Sequence, residues 1–194
     1  MQSYSSFNFN EKPTMWERFK KHGISLLVEI LIAILAAFLM THFGLEKTTM
    51  MGDSMKTTLK DGDKILVNKM IYHISSPKRN DVIVFRQTGK EHDFYNVKRI
   101  IGLPGETVLI QNGQVYINGD LLDEKITVDG MKNGGLANEE LVLDDDEYFV
   151  LGDNRNNSED SRFANVGNIV KSDVVGKAWI RLNPFNFINS LGKN

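Results

Sequence analysis

The run at 24–43, ISLLVEILIAILAAFLMTHF, constrains this chain more than any other feature. At about 1.5 Å per residue, a helix of that length reaches roughly 30 Å, the thickness of a bilayer core. Leu, Ile and Ala dominate it and neither Pro nor Gly interrupts it, so it favours helix. Its one charge, Glu29, stands near the start, where a carboxylate can reach an interface. The run is apolar all round, whereas a helix of a globular core keeps a polar face. A cleaved leader would have a shorter apolar core followed by a small-x-small site. The stretch LMTHFGLEK contains no such site. Lys12, Arg18, Lys20 and Lys21 precede the run, and the nearest basic residue after it is Lys47. The positive-inside rule therefore predicts a single-pass membrane protein of type II topology. Residues 1–23 are expected as a cytoplasmic tail, with Trp16 and Phe19 anchoring the inner interface. Residues 24–43 are expected to cross the lipid bilayer, and 44–194 to lie outside the cytoplasm.

Composition removes several classes of function. The 194 residues carry 23 Lys and Arg against 25 Asp and Glu, a formal charge of −2. A general nucleic-acid-binding protein would need a basic excess, so no nucleic-acid partner is expected. There is no cysteine, which excludes disulfides, thiolate metal sites, iron–sulfur ligation and a cysteine nucleophile. The four histidines, His22, His42, His73 and His92, lack zinc-site spacing, so neither a metal nor another cofactor is expected. A hydrolase built from this chain needs a Ser, Thr or carboxylate nucleophile.

Beyond Phe43 the patterns are short and strand-like, and no long amphipathic helix is predicted. Runs at 64–69, 81–86, 95–101, 107–110, 115–117, 148–151 and 174–182 read as strands. Asn112-Gly113 between two β-branched runs is a hairpin signal, and Asn118-Gly119 supplies a second turn. Gly130 to Asn138 reads as a loop. The aromatic segment from Trp179 to Phe187 is expected in the core, with lipid contact as the alternative. The expectation is a mainly β domain with one core, tethered by the N-terminal helix.

Three segments carry candidate chemistry. Met51-Gly52-Asp53-Ser54-Met55 lies just past the membrane exit, and Gly52 permits unusual dihedrals. Taken alone, Ser54 is an ordinary turn serine. Lys98, on the strand at 95–101, is either a solvated edge residue or a buried amine. Burial lowers a lysine's pKa, and a neutral amine can act as a general base. The third segment, Gly152-Asp153-Asn154-Arg155-Asn156-Asn157-Ser158-Glu159-Asp160-Ser161-Arg162, is dense in hydrogen-bonding groups after an apolar strand. If extended, it would set Ser158, Asp160 and Arg162 on one face.

In combination and order, these segments resemble the bacterial type I signal peptidases, membrane-bound serine proteases of the Ser-Lys type. The resemblance covers nearly the whole chain: the anchor, Gly-Asp-Ser-Met (52–55), Gly-Asp-Lys-Ile-Leu-Val-Asn-Lys (62–69), Lys-Arg-Ile-Ile-Gly-Leu-Pro-Gly (98–105), Gly-Asp-Asn-Arg-Asn-Asn-Ser-Glu-Asp-Ser-Arg (152–162) and Val-Gly-Lys-Ala (175–178). One anchor and a small domain are similar to the Gram-positive members. The resemblance implies Ser54 as nucleophile, Lys98 as general base, and the Ser54 N–H as oxyanion donor. It implies that Ser158 orients the lysine amine, that Asp160 pairs with Arg162 and Asp153 with Arg99, and that Met55 stands beside the substrate. Bringing an amine from about 10.4 to about 7–8 corresponds to roughly 4 kcal/mol of destabilisation of its charged form.

The implied substrates are secretory preproteins, cleaved after small-x-small sequences, with the translocation machinery as a further partner. Three positions depart from the family pattern. Thr57 replaces a frequent Pro, Gly52 replaces a hydroxyl residue that adds an oxyanion donor, and Phe163 to Ile169 lacks the usual Pro. The rival readings are a specialised or non-catalytic relative serving assembly of surface proteins such as pilins, a cytoplasmic self-cleaving Ser-Lys repressor, and a non-enzymatic anchored β module. An inert relative should lack Ser54 or Lys98, and this chain keeps both.

Overall fold

The computed structural model describes residues 15–87 and 95–188, without the side chains of 17–21 and 39–43. The chain divides into two units, Met1–His42 and Phe43–Asn194. The first is dominated by α1 (Met15–Gly44), a helix of 30 residues. Its exposed side chains include Leu26, Leu27, Val28, Ile30, Leu31, Ile32, Ile34 and Leu35. Consecutive exposed positions point in all directions around a helix, so the described side chains of 22–38 form no buried stripe. Ser25 Oγ donates to Glu29 Oε1 at 3.2 Å, one turn apart. Among the described residues, no helix is long and apolar enough to cross a membrane; the described side chains of the run are those of residues 22–38. The flank residues behind the expected orientation, Lys12 and the side chains of Arg18, Phe19, Lys20 and Lys21, lie outside the described residues, as does His92.

The second unit is mainly β. It contains β1 (Leu45–Thr49), β2 (Lys64–Asn68), the one-turn helix α2 (Ile71–Ile74), β3 (Val82–Arg86) and β4 (Tyr95–Gly102). Next come β5 (Thr107–Gln111), β6 (Gln114–Ile117), β7 (Asp120–Leu121), β8 (Leu141–Val142), β9 (Glu147–Leu151), β10 (Ile169–Val170), β11 (Val174–Leu182) and β12 (Phe185–Phe187). Among the described residues, the large sheet has eight strands, ordered β1-β2-β11-β3-β4-β9-β10 with β12 paired to β11. A smaller sheet runs β7-β6-β5-β8. The β5–β6 hairpin turns at Asn112 and Gly113, with φ of 54° and 77°. Positive φ at both central residues is what a type I′ turn requires, and Asn-Gly supplies it cheaply.

β3 and β4 are buried along most of their length, β3 through its apolar run Val82–Phe85 and β4 with the charged side chains of Lys98 and Arg99 buried beside Val97, Ile100 and Ile101. Met50, Met55, Leu59, Val67, Val84 and Val97 form one core cluster. Ile101, Val108, Ile110, Phe149 and Leu151 form a second, where the small sheet meets the large one. A third gathers Tyr72, Ile83, Phe85, Ile100 and Val150.

Two expectations differ from the structure. The aromatic C-terminal segment is not core. Trp179 is 38% exposed, Phe185 67% and Phe187 48%. Strand alternation explains this, since Ala178 and Ile180 take the inward positions of β11. The outward rings pack on one another, Trp179 and Phe187 tilted with centroids 6.2 Å apart, and Phe185 and Phe187 edge-to-face at 5.9 Å. The segment 130–138 is not all loop, because Gly135–Asn138 forms a 3-10 turn with Ala137 buried. The segment 152–162, for which the pattern left an extended form open, folds into successive turns, for reasons that its partners make plain.

Candidate active site

After β1 the chain enters a tight loop. Met50 N–H donates to Asp63 O at 2.8 Å, and Gly62 N–H to Met50 O at 2.9 Å. Gly52 has φ 75°, a conformation that costs a residue with a side chain energy, and its N–H donates to Asp61 Oδ1 at 2.7 Å. A turn follows, closed by Lys56 N–H to Asp53 O at 3.1 Å and Thr58 N–H to Met55 O at 2.8 Å. It closes without a proline at position 57. Met55 and Leu59 go into the core, and Ser54 stays partly exposed between them and the surface.

Lys98 projects from the centre of β4. Its Nζ donates to Ser54 Oγ at 2.9 Å. The residue is only 5% exposed. Desolvation by burial lowers its pKa below the ordinary lysine value, opposed by the more distant negative charges of Asp160, Glu159 and Asp153. A hydroxyl thus faces an amine biased toward neutrality, an arrangement able to pass the hydroxyl proton to nitrogen as oxygen attacks a carbonyl.

The turns of 152–162 hold this pair from one side. Arg99, next to Lys98, forks onto Asp153, with Nε to Oδ1 at 2.8 Å and Nη2 to Oδ2 at 2.7 Å, both side chains almost completely buried. Thr58 Oγ1 donates to Asp153 Oδ2 as well, and Arg99 Nη1 reaches Asn80 O at 2.9 Å. Asp160 accepts Gly152 N–H at 3.0 Å and pairs with Arg162, whose Nε lies 2.7 Å from Oδ1. Arg162 also donates to Arg155 O at 2.6 Å and to Asn133 O at 3.1 Å. Arg155, buried, grips Glu124 through two hydrogen bonds. A segment whose charges all close back on itself and on distant loops cannot stay extended.

The structure therefore brings together Ser54 and Lys98, Arg99 and Asp153, and Asp160 and Arg162. Ser158 lies against Gly152, where an added Cβ would sit 2.2 Å from Ser158 Oγ and 2.6 Å from Ser54 O. Its hydroxyl is buried and, among the described residues, has no hydrogen-bond partner. It thus stands beside the dyad without holding the amine. Met55, expected beside substrate, is fully buried and offers its sulfur to Asp153 N–H at 3.4 Å. Burial in the first core cluster leaves it no surface for a ligand. Thr58, Asn80 and Glu124 join the network although nothing in their local sequence marks them. Their partners lie 95, 19 and 31 residues away along the chain.

Comparison with known proteins adds to this geometry. The family model described as signal peptidase, peptidase S26, matches residues 23–183. The chain is 36% identical over 187 residues to signal peptidase I T of Bacillus subtilis (strain 168), covering 91% of this chain and 95% of that one. It is 39% identical over 166 residues to signal peptidase I of Bacillus amyloliquefaciens, covering 82% and 87%. A solved signal peptidase I from Enterococcus faecalis V583 aligns with 54% of this chain and 97% of that chain, at 32% identity and a TM-score of 0.42.

Proposed function

The chain belongs to the signal peptidase family, peptidase S26, and on that premise we propose that it is a membrane-anchored endopeptidase that removes signal peptides from translocated preproteins with Ser54 as nucleophile and Lys98 as general base. The observation that carries this reading is the 2.9 Å hydrogen bond between Lys98 Nζ and Ser54 Oγ, made by an amine only 5% exposed. Ser54 Oγ adds to the scissile carbonyl carbon while its proton passes to neutral Lys98. The lysine then protonates the leaving amine, and the acyl-enzyme is hydrolysed by water. The Ser54 N–H stabilises the negative oxygen of the tetrahedral intermediate. The buried pairs Arg99–Asp153 and Arg162–Asp160 hold the 152–162 turns against the strand that carries Lys98.

The anchor is α1. The exposed apolar side chains all round it support immersion in lipid, and the basic flank supports a cytoplasmic N-terminus. Ser54 follows the end of the apolar run closely in sequence, so the reaction takes place near the outer leaflet, where a translocated preprotein emerges. The translocation machinery delivers that substrate, a secretory preprotein with a small-x-small sequence before the cut.

The test is cleavage of a preprotein panel by the purified full chain in lipid vesicles. Ser54→Ala and Lys98→Ala are each expected to lower the rate at least about a thousandfold, since each removes one half of the nucleophile's activation. Lys98→Arg should be equally inactive, because guanidinium does not release its proton. Full activity in any of the three overturns the assignment.

A further inference from the structure

We infer that Asn154 is a positioning residue, which sets and polarises the Ser54 N–H as an oxyanion donor. The inference rests on Ser54 being the nucleophile. Asn154 grips the nucleophile loop twice. Its side-chain Nδ2 donates to Asp53 O at 3.0 Å, and its backbone N–H donates to Ser54 O at 2.9 Å. Its own carbonyl accepts Asn157 N–H at 2.9 Å, which ties the clamp to the turn behind it.

The first contact bears on the chemistry. Asp53 O and the Ser54 N–H belong to one peptide group. That group is planar and trans, so its C=O and N–H point in opposite directions. Whatever holds the oxygen aims the hydrogen. Asp53 O receives two donors, Asn154 Nδ2 and Lys56 N–H at 3.1 Å, which occupy both of its lone pairs. Rotation of the peptide plane would break both bonds. The Ser54 N–H, by contrast, donates to no group among the described residues, so it is left available. Hydrogen bonds to the carbonyl also draw electron density through the amide and make the N–H a stronger donor. The second contact, on Ser54 O, fixes the next peptide plane and thereby Cα of Ser54. Asn154 touches neither Ser54 Oγ nor Lys98 in this arrangement, so it acts on the oxyanion side of the reaction and not on proton transfer.

An oxyanion donor that is turned away should slow the chemical step without changing how the extended substrate docks. Asn154→Asp keeps the size but sets a carboxylate against Asp53 O, while Asn154→Ala removes the donor and keeps the backbone contact. The experiment measures kcat and KM for a preprotein with the full chain in vesicles, together with inhibition by a peptide aldehyde ending in alanine. Ser54 Oγ adds to the aldehyde carbon, the hydroxyl proton passes to Lys98, and the former carbonyl oxygen becomes the oxyanion. Expected are a fall in kcat of ten- to a hundredfold for Asn154→Ala and more for Asn154→Asp, with KM within about twofold. Aldehyde affinity should fall by the same factor as kcat/KM, and the acidic limb of the pH profile should not move. Unchanged kcat and aldehyde affinity in Asn154→Ala, or a loss confined to KM, overturns the inference. So does a shifted acidic limb, which would place Asn154 on the lysine. If Asn154→Asp does not fold, Asn154→Ala decides alone, its fold checked by an unchanged urea midpoint. Ser54→Ala runs in parallel, and activity there would remove the nucleophile itself, a failure distinct from that of the clamp.

Discussion

Lys98 has lost most of its water, and the carboxylates that favour its charge, those of Asp160, Glu159 and Asp153, act from beyond hydrogen-bond range. Its pH behaviour follows. On the proposed mechanism Lys98 works only when neutral, so kcat/KM should rise with pH through an acidic limb below the ordinary lysine range and stay high beyond it. A profile flat down to about pH 5 would exclude a lysine base. Stability carries the same signature. Above about 10.4 the amine is neutral in both folded and unfolded chains, and burial of charge costs nothing. As pH falls below that value the unfolded chain takes up the proton first, and the cost grows until the lowered folded value is passed, after which it is constant. Lys98→Met should therefore be more stable than the wild type at pH 7, with the margin shrinking toward alkaline pH in urea titrations. The pairing of Ser54 with Lys98 was legible from Gly52-Asp53-Ser54-Met55 and Lys98-Arg99, because both sit in short local motifs. Ser158 and Met55 were less so. Their distance from substrate or amine depends on the rotamer and packing of a loop, which no local pattern encodes.

Local pattern predicted the strands well where it had a chemical cause, as at Asn112-Gly113, whose positive φ angles make the β5–β6 turn. It left open whether 152–162 is extended. The turns there come from Asp160 bonding back to Gly152, and from Arg155 and Arg162 reaching residues far away in sequence. It failed at Trp179, whose outward position follows from β11 being an internal strand with only one face toward the first core cluster. The 3-10 turn Gly135–Asn138 shows how such an element supports the site. Leu136 N–H donates to Arg162 O at 2.8 Å, and a Cβ at Gly135, where φ is 56°, would lie 2.1 Å from that oxygen. Gly135→Ala must both strain its backbone and push Arg162 away. A loss of about 2–3 kcal/mol is expected in urea unfolding, with kcat lowered as the Arg162–Asp160 pair shifts. Wild-type stability in this variant would mean that the turn moves freely and does not brace the loop.

On the proposed function the two units of the chain have separate tasks. Every hydrogen bond described around Ser54 and Lys98 is made within Phe43–Asn194. A fragment of residues 44–194 should accordingly fold with a urea midpoint close to that of the full chain and cut short soluble peptides, while losing retention in carbonate-washed membranes. An unfolded fragment would show that α1 contributes to the fold of the β unit. Within that unit, the last long strand holds an unexpected place: β11 lies between β2 and β3, pairing Ala178 with Val67 and Lys177 with Ile83. The strands beside the Ser54 loop and Lys98 are thus joined through a segment that is synthesised after both residues. A nascent chain can expose Ser54 and Lys98 long before it can bring them together. On the proposed mechanism, a polypeptide halted before β11 carries Ser54 and Lys98 as two unconnected residues, and proteolytic competence waits for the strand that joins them.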